Sequence, residues 1–163
     1  MSFILSFLFV ILIVVSAFMQ ASDNALKKRV SPVLTAFCGL IVLYGALAGN
    51  VLLPQGLTLC IALLLLATSD FMFEHSTPER DLFPLAMVFG VISGFIIGVL
   101  FNVVAARAGV STLVHVVCFA AGIVMAILVY RVLHVDAALR IAVLVYLAQA
   151  VVLLTGGLAC LAT

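Results

Sequence analysis

Six stretches of mostly apolar residues, separated by short polar breaks, account for nearly the whole chain. They cover residues 3–19, 32–48, 57–73, 82–101, 112–129 and 137–161. Each comes close to the ~20 residues that an α-helix needs to cross the hydrocarbon core of a bilayer. The breaks carry turn and charged residues: Ser22-Asp23-Asn24 with Lys27-Lys28-Arg29, Gly49-Asn50 with Pro54-Gln55-Gly56, then residues 76–81, 107–111 and 131–136. None has room for a soluble domain. The pattern predicts an all-α fold, a polytopic transmembrane bundle of about six helices that forms a single domain over residues 1–163.

Composition strengthens this reading, because 67% of residues are hydrophobic, 8% are charged and Trp is absent. The first apolar stretch begins Met-Ser-Phe-Ile, with no basic residue, and is longer than the apolar region of a typical signal peptide, so it reads as a retained helix. Lys27, Lys28, Arg29, Arg80, Arg131 and Arg140, six of the seven basic residues, fall on one side of the predicted topology, and Arg107 on the other. The positive-inside rule then turns both termini away from the cytoplasm. The expected location is the inner (plasma) membrane of a bacterium. A formal net charge of +1 leaves no basic surface for nucleic acid, and Lys27-Lys28-Arg29 reads as a topology signal in contact with anionic headgroups.

Few residues carry candidate chemistry. Cys38, Cys60, Cys118 and Cys160 lie in four different helices without Cys-x-x-Cys spacing, which makes them apolar packing residues and not a metal or redox site. His115 and His134 stand alone and read as interfacial hydrogen-bonders. No metal ligand set and no cofactor is expected. Gly90, Gly94 and Gly98 recur every four residues along one stripe of the fourth helix, where another backbone can approach closely. That neighbour is either a helix of the same chain, which the number of internal helices favours, or a second protomer or membrane partner.

Ala142, Tyr146, Gln149, Leu153 and Gly156 share one face of the sixth helix. An amide in hydrocarbon needs a hydrogen-bond partner, so Tyr146 and Gln149 are expected to point into the bundle, as interhelical hydrogen-bonders or as the wall of a polar pocket. Asp70 is the least expected residue, because it closes a helix whose stretch 57–67 is apolar. Glu74 follows four residues later, on the same face and about 6 Å along the axis. A helix C-terminus and partial desolvation both disfavour a carboxylate at Asp70, which suits it to deliver a proton as a general acid. The competing expectation is an ion pair with Arg80, Arg131 or Arg140.

Three landmarks then fall in a familiar order. Lys27-Lys28-Arg29-Val30-Ser31-Pro32 precedes an apolar helix; Ala67-Thr68-Ser69-Asp70-Phe71-Met72-Phe73 ends the next; Leu139-Arg140-Ile141-Ala142-Val143-Leu144-Val145-Tyr146 opens the last. From about residue 27 onward the chain resembles the lysoplasmalogenase-like (YhhN-like) membrane proteins, with their Lys-Pro entry to helix 2, Gly-Asp pair ending helix 3 and Arg-x-Pro-Val-x-x-Tyr stretch. The resemblance implies hydrolysis of the vinyl-ether bond of a lysoplasmalogen, a single-chain ether lipid, to an aldehyde and a glycerophospho-alcohol. It gives Asp70 the role of acid and assigns Arg140 and Tyr146 to substrate binding. Gln149 joins that group through its place on the helix 6 face, and Glu74 is added as partner base from spacing alone.

The chain departs from that pattern at several points. Ser69 stands for Gly, Ser31 for Lys and Ala142 for Pro; helix 4 lacks the His and Tyr common there; and the usual final pair of helices, with a second Asp, is missing. Either another protomer completes the site or this is a shortened relative without catalysis. The alternative function is therefore an inactive membrane scaffold or accessory subunit. A transporter is the weakest reading, since no ionisable residue lies near the predicted midplane and the two halves show no internal similarity.

Overall fold

The structure, a computed structural model, describes residues 2–20, 25–49, 52–77, 79–132 and 140–161. Six helices follow in order: α1 (Ser2–Gln20), α2 (Ala25–Leu47), α3 (Leu53–Glu74), α4 (Phe83–Arg107), α5 (Thr112–Val132) and α6 (Arg140–Leu161). Five of them contain stretches long and apolar enough to cross a membrane, and in α1 the corresponding stretch, Phe7–Met19, is shorter. The predicted all-α helical bundle is the observed one, and these are the proportions of an integral membrane protein.

Helix limits differ from the sequence expectation where charge or proline was read as a break. Helix α2 begins at Ala25, so Lys27-Lys28-Arg29 lies within it, and it continues through Pro32. Pro32 brings no N–H, which leaves the Lys28 carbonyl without its usual helical donor. Pro54-Gln55-Gly56 is likewise inside α3, because proline is tolerated in a first turn, whose N–H groups have no helical acceptor. Arg107 and Arg131 occupy the last turns of α4 and α5, where a cation meets the negative end of the helix dipole. Ser22-Asp23-Asn24, Asn50, His134 and residues 137–139 lie outside the described residues.

Helix α4 ends in a Schellman arrangement. Gly109 takes φ +84°, its N–H reaches the Ala106 carbonyl at 3.1 Å, and the Val110 N–H reaches that of Ala105 at 3.1 Å. Ser111 then caps α5 through the Val114 N–H at 3.4 Å. Between α3 and α4, Thr77 and Arg80 exchange backbone hydrogen bonds of 3.1 and 3.0 Å, while Phe73 meets Phe83 edge to face at 5.3 Å.

The chain divides into two compact units, residues 1–93 and 94–163, and α4 runs through both. In the first, α2 packs against α1 and α3; in the second, α5 packs against α6. The interior is built from small side chains. Ala62, Ala86, Ala105 and Ala159 are fully enclosed, and the largest fully buried side chains are Cys38, Ser31, Ser69 and Ser93. Phe18, Ile4 and Leu113 are by contrast more than two-thirds exposed. This inversion of a soluble core follows from the solvent: lipid tails cover large apolar side chains as well as protein does, and small residues let helices approach.

Candidate functional site

Asp70 lies in the penultimate turn of α3, half-buried, and Glu74, also half-buried, is its last residue. The neighbouring charge that acts on Asp70 is that of Glu74, and among the described residues of its own unit no cation does so. Arg80, Arg131 and Arg140 are all exposed. Two features hold this end of the helix. The Ser69 Oγ, on a side chain 1% exposed, donates to the Ala86 carbonyl of α4 at 2.7 Å. Beyond Glu74, the His75 ring stacks on Phe71 at 4.1 Å, and its Nδ1 lies 2.9 Å from the Phe71 carbonyl.

The residue before Asp70 thus has a structural explanation. A Cβ added at Gly90 would sit 2.9 Å from the Ser69 Oγ, so the hydroxyl occupies space that the glycine leaves open. Ser31, where the resembled family has lysine, is equally committed. It is 1% exposed, its Oγ lies 2.8 Å from the Ser16 Oγ, and it donates to the Ser16 carbonyl at 3.1 Å. Thr35 completes this α1–α2 cluster at 3.0 Å from the Ser16 Oγ. A lysine ammonium in that enclosed position would have to be desolvated.

The other expected site residues belong to the second unit. Arg140 is exposed at the first residue of α6, as suits a charge at a helix entry. Gln149 is buried and lies over Gly94 of α4, where an added Cβ would overlap its amide. Its Oε1 is buried without a hydrogen-bond partner among the described residues. Tyr146 corrects the expectation of an inward-facing pair, since it is 43% exposed. The shared face of α6 is enclosed at Gln149 and Gly156, whereas Tyr146 lies nearer the helix start, where an amphipathic ring suits the membrane boundary. The glycine stripe is used internally: Gly90 meets Ser69 of α3, and Gly94 and Gly98 meet Gln149 and the Val152–Leu153 backbone of α6.

Asn102 went unnoticed in the sequence. Its Nδ2 donates to the Gly98 carbonyl at 2.8 Å and to the Val152 carbonyl of α6 at 3.1 Å. The signal was present, since an amide one turn after Gly98 in an apolar helix invites the argument applied to Gln149. The Ser16–Ser31–Thr35 cluster was also missed. Ser31 and Thr35 are spaced i, i+4, but nothing local to them identifies Ser16 as their partner.

A crevice of about 600 Å³ opens beside Asn102, within the range of small-molecule sites, and its lining includes His115 and Thr112 at the start of α5. Asp70 does not line it. Cys38 and Cys60 are buried and Cys118 and Cys160 half-buried, the Cys160 thiol donating to the Phe101 carbonyl at 3.3 Å, and no three potential metal ligands cluster among the described residues. Compared with protein-family models, with curated proteins and with solved structures, the chain matches none.

Proposed function

We propose that this integral membrane protein acts on a single-chain ether lipid, cleaving its vinyl-ether bond with Asp70 as the acid, as its resemblance to lysoplasmalogenases implies. The observation that supports the reading most is the half-buried Asp70, with Glu74 one turn away and no compensating cation among the described residues of its own unit. Acid catalysis of this bond is limited by proton delivery to carbon, which is a task for a carboxyl group removed from bulk water.

The steps balance with one water. Asp70 gives its proton to the vinyl carbon distal to the ether oxygen, and the carbon bonded to oxygen becomes oxocarbenium-like. Water attacks that carbon while Glu74 accepts its proton. Asp70, now a carboxylate, takes the hemiacetal hydroxyl proton while Glu74 returns its proton to the glycerol oxygen as that carbon–oxygen bond breaks. Aldehyde and glycerophospho-alcohol leave, and both carboxyl groups return to their starting protonation. Arg140, Tyr146 and Gln149 are assigned to substrate binding in this scheme, and the inner membrane of a bacterium, with Asp70 at the cytoplasmic end of α3, is its proposed setting.

A second reading, an inactive scaffold or accessory subunit, is favoured by one specific feature. Ser31 and Ser69, at two positions where the resembled family has other residues, are consumed in helix–helix hydrogen bonds. The test is aldehyde release from a lysoplasmalogen by the purified chain in nanodiscs. Wild type is expected to turn over, and Asp70→Asn to lower kcat by roughly 10²- to 10⁴-fold, the usual weight of a general acid. No release from folded wild type would support the scaffold, and undiminished release by Asp70→Asn would remove the acid from the scheme.

A further inference from the structure

The crevice at the α4–α5 turn has a polar mouth on an apolar trough. Val99, Val103 and Val152 line it, with Asn102 among them, and Thr112 and His115 contribute from the first turn of α5. Counting back from Arg107 at the end of α4, Val99 lies about 12 Å deeper along the helix axis at 1.5 Å per residue. The trough thus runs from the end of a membrane span into its apolar length. A ligand that fills it has a hydrocarbon chain and a polar group at one end.

The sign of that polar group follows from charge. Between Asp81 and Asp136 the sequence contains no acidic residue, and α6 has none either. Arg107, directly after the lining residue Ala106, is exposed, and none of the described residues of its own unit carries a carboxylate. The mouth also receives the start of α5. Ser111 caps the Val114 N–H, whereas the amides of Thr112 and Leu113 have no intrahelical acceptor by helix geometry. His115 is held with its Nδ1 3.3 Å from the Ser111 carbonyl, which leaves Nε2 as its second polar atom. The Arg107 guanidinium, which also offsets the negative end of the α4 dipole, and the start of α5 both favour an anion at this mouth.

We propose that the crevice binds a long-chain carboxylate, with its tail along Val99, Val103 and Val152 and its head at Thr112, His115 and Arg107. The inference does not depend on the chemistry assigned to Asp70. Asn102 has a structural part in it, since its amide ties α4 to α6 and fixes the trough wall.

The test uses the full chain in nanodiscs of zwitterionic phosphatidylcholine and a fluorescent long-chain carboxylate, challenged with oleate, oleyl alcohol or acetate. Saturable binding of one probe per chain is expected, displaced by oleate but by neither the alcohol nor acetate. Ala106→Trp, which fills the trough from its exposed rim, is expected to weaken binding by at least about tenfold. Arg107→Gln and His115→Leu should each weaken it by about two- to fivefold, the weight of one charge or donor at a helix end. These two positions are at the surface and serve if Ala106→Trp does not fold. Non-saturable uptake, equal displacement by oleyl alcohol, or wild-type affinity in the Arg107→Gln, His115→Leu double variant would overturn the proposal. Because aldehyde release is not measured, failure here would leave the hydrolase reading untouched.

Discussion

In the unit that ends at Ser93, Gly39 and Gly56 let α2 and α3 approach, and hydroxyl groups make the polar ties between helices. Ser16 meets Ser31 and Thr35, Ser69 donates to the Ala86 carbonyl, and Ser93 donates to the Ala62 carbonyl at 2.7 Å. In the unit that begins at Gly94, glycines and amides join the helices. Gly94 lies under Gln149, Gly98 under the Val152–Leu153 backbone, Gly156 against Asn102, and Gly122 against Val151. A hydroxyl is small enough to be buried where it bonds, and it can be satisfied by a carbonyl already present on the neighbouring helix. An amide is larger, needs more partners and requires a glycine opposite to make room. Among the described residues the first solution leaves its buried polar side-chain atoms paired, whereas the second leaves the Gln149 Oε1 without a partner. Among the described residues the carboxylates divide the same way, since Asp70, Glu74, Glu79 and Asp81 are all in the first unit.

The comparison breaks most sharply at Gly98. A Cβ there would lie 2.9 Å from the Leu153 nitrogen and 3.0 Å from the Val152 carbonyl carbon. Those are backbone atoms, which cannot swing aside as a side-chain tip can. Gly98→Val is therefore expected to cost about 3 kcal/mol, the upper end for overpacking, and to lower the thermal midpoint in detergent more than any hydroxyl deletion in the first unit. Gly157, whose added Cβ would meet nothing within 4 Å, is the control, and Gly157→Ala should leave that midpoint nearly unchanged. Equal loss in both variants would mean that close α4–α6 approach does not hold the second unit together.

Much of this organisation was legible in the sequence, and the part that was not has a physical reason. Apolar run length predicted six helices, and the i, i+4 glycines of α4 predicted a close approach, because both depend on residues near each other in the chain. Helix starts were misread at Ala25 and Leu53 because charge and proline resemble breaks, yet a helix accepts both in its first turns. Asp70 and Gln149 stand out from their surroundings as polar residues in apolar helices. Ser16 does not, since serine in a membrane helix is ordinary and its partners lie 15 and 19 residues away. Which polar residues face each other is a tertiary fact that periodicity does not encode, and for that reason Tyr146 was expected inside.

A smaller effect sharpens the hydroxyl side of the comparison. Ser16→Ala removes the group at the centre of the α1–α2 cluster, yet the Thr35 hydroxyl still donates to the Ser31 carbonyl at 3.2 Å and Ser31 still donates to the Ser16 carbonyl. The remaining groups stay satisfied. The loss is expected to be about 0.6 kcal/mol and no more than about 1.7, the range measured for interhelical hydrogen bonds in a membrane protein, read as a small fall in the denaturation midpoint. A loss as large as that of Gly98→Val would show that the cluster acts as a unit and that pairwise reasoning fails there.

The smallest effect on stability is expected at Gln149, and its size decides what the residue is for. An unpaired buried amide oxygen costs about 1–3 kcal/mol of desolvation without return, so replacing the group with an apolar one of similar shape removes a penalty. Leu nearly matches Gln in length and still covers Gly94. Gln149→Leu should therefore leave the thermal midpoint unchanged or raise it. If Gln149 were a structural hydrogen-bonder, the same change would lower the midpoint, as loss of a partner does elsewhere in the bundle. The unpaired oxygen instead fits a side chain kept for a donor that arrives from outside the fold, the role that its assignment to substrate binding requires. On that reading Gln149→Leu keeps or gains stability while KM for the ether lipid rises and kcat changes less. A fall in stability with unchanged KM would return Gln149 to helix packing and leave Asp70 and Glu74 as the polar core of the proposed site.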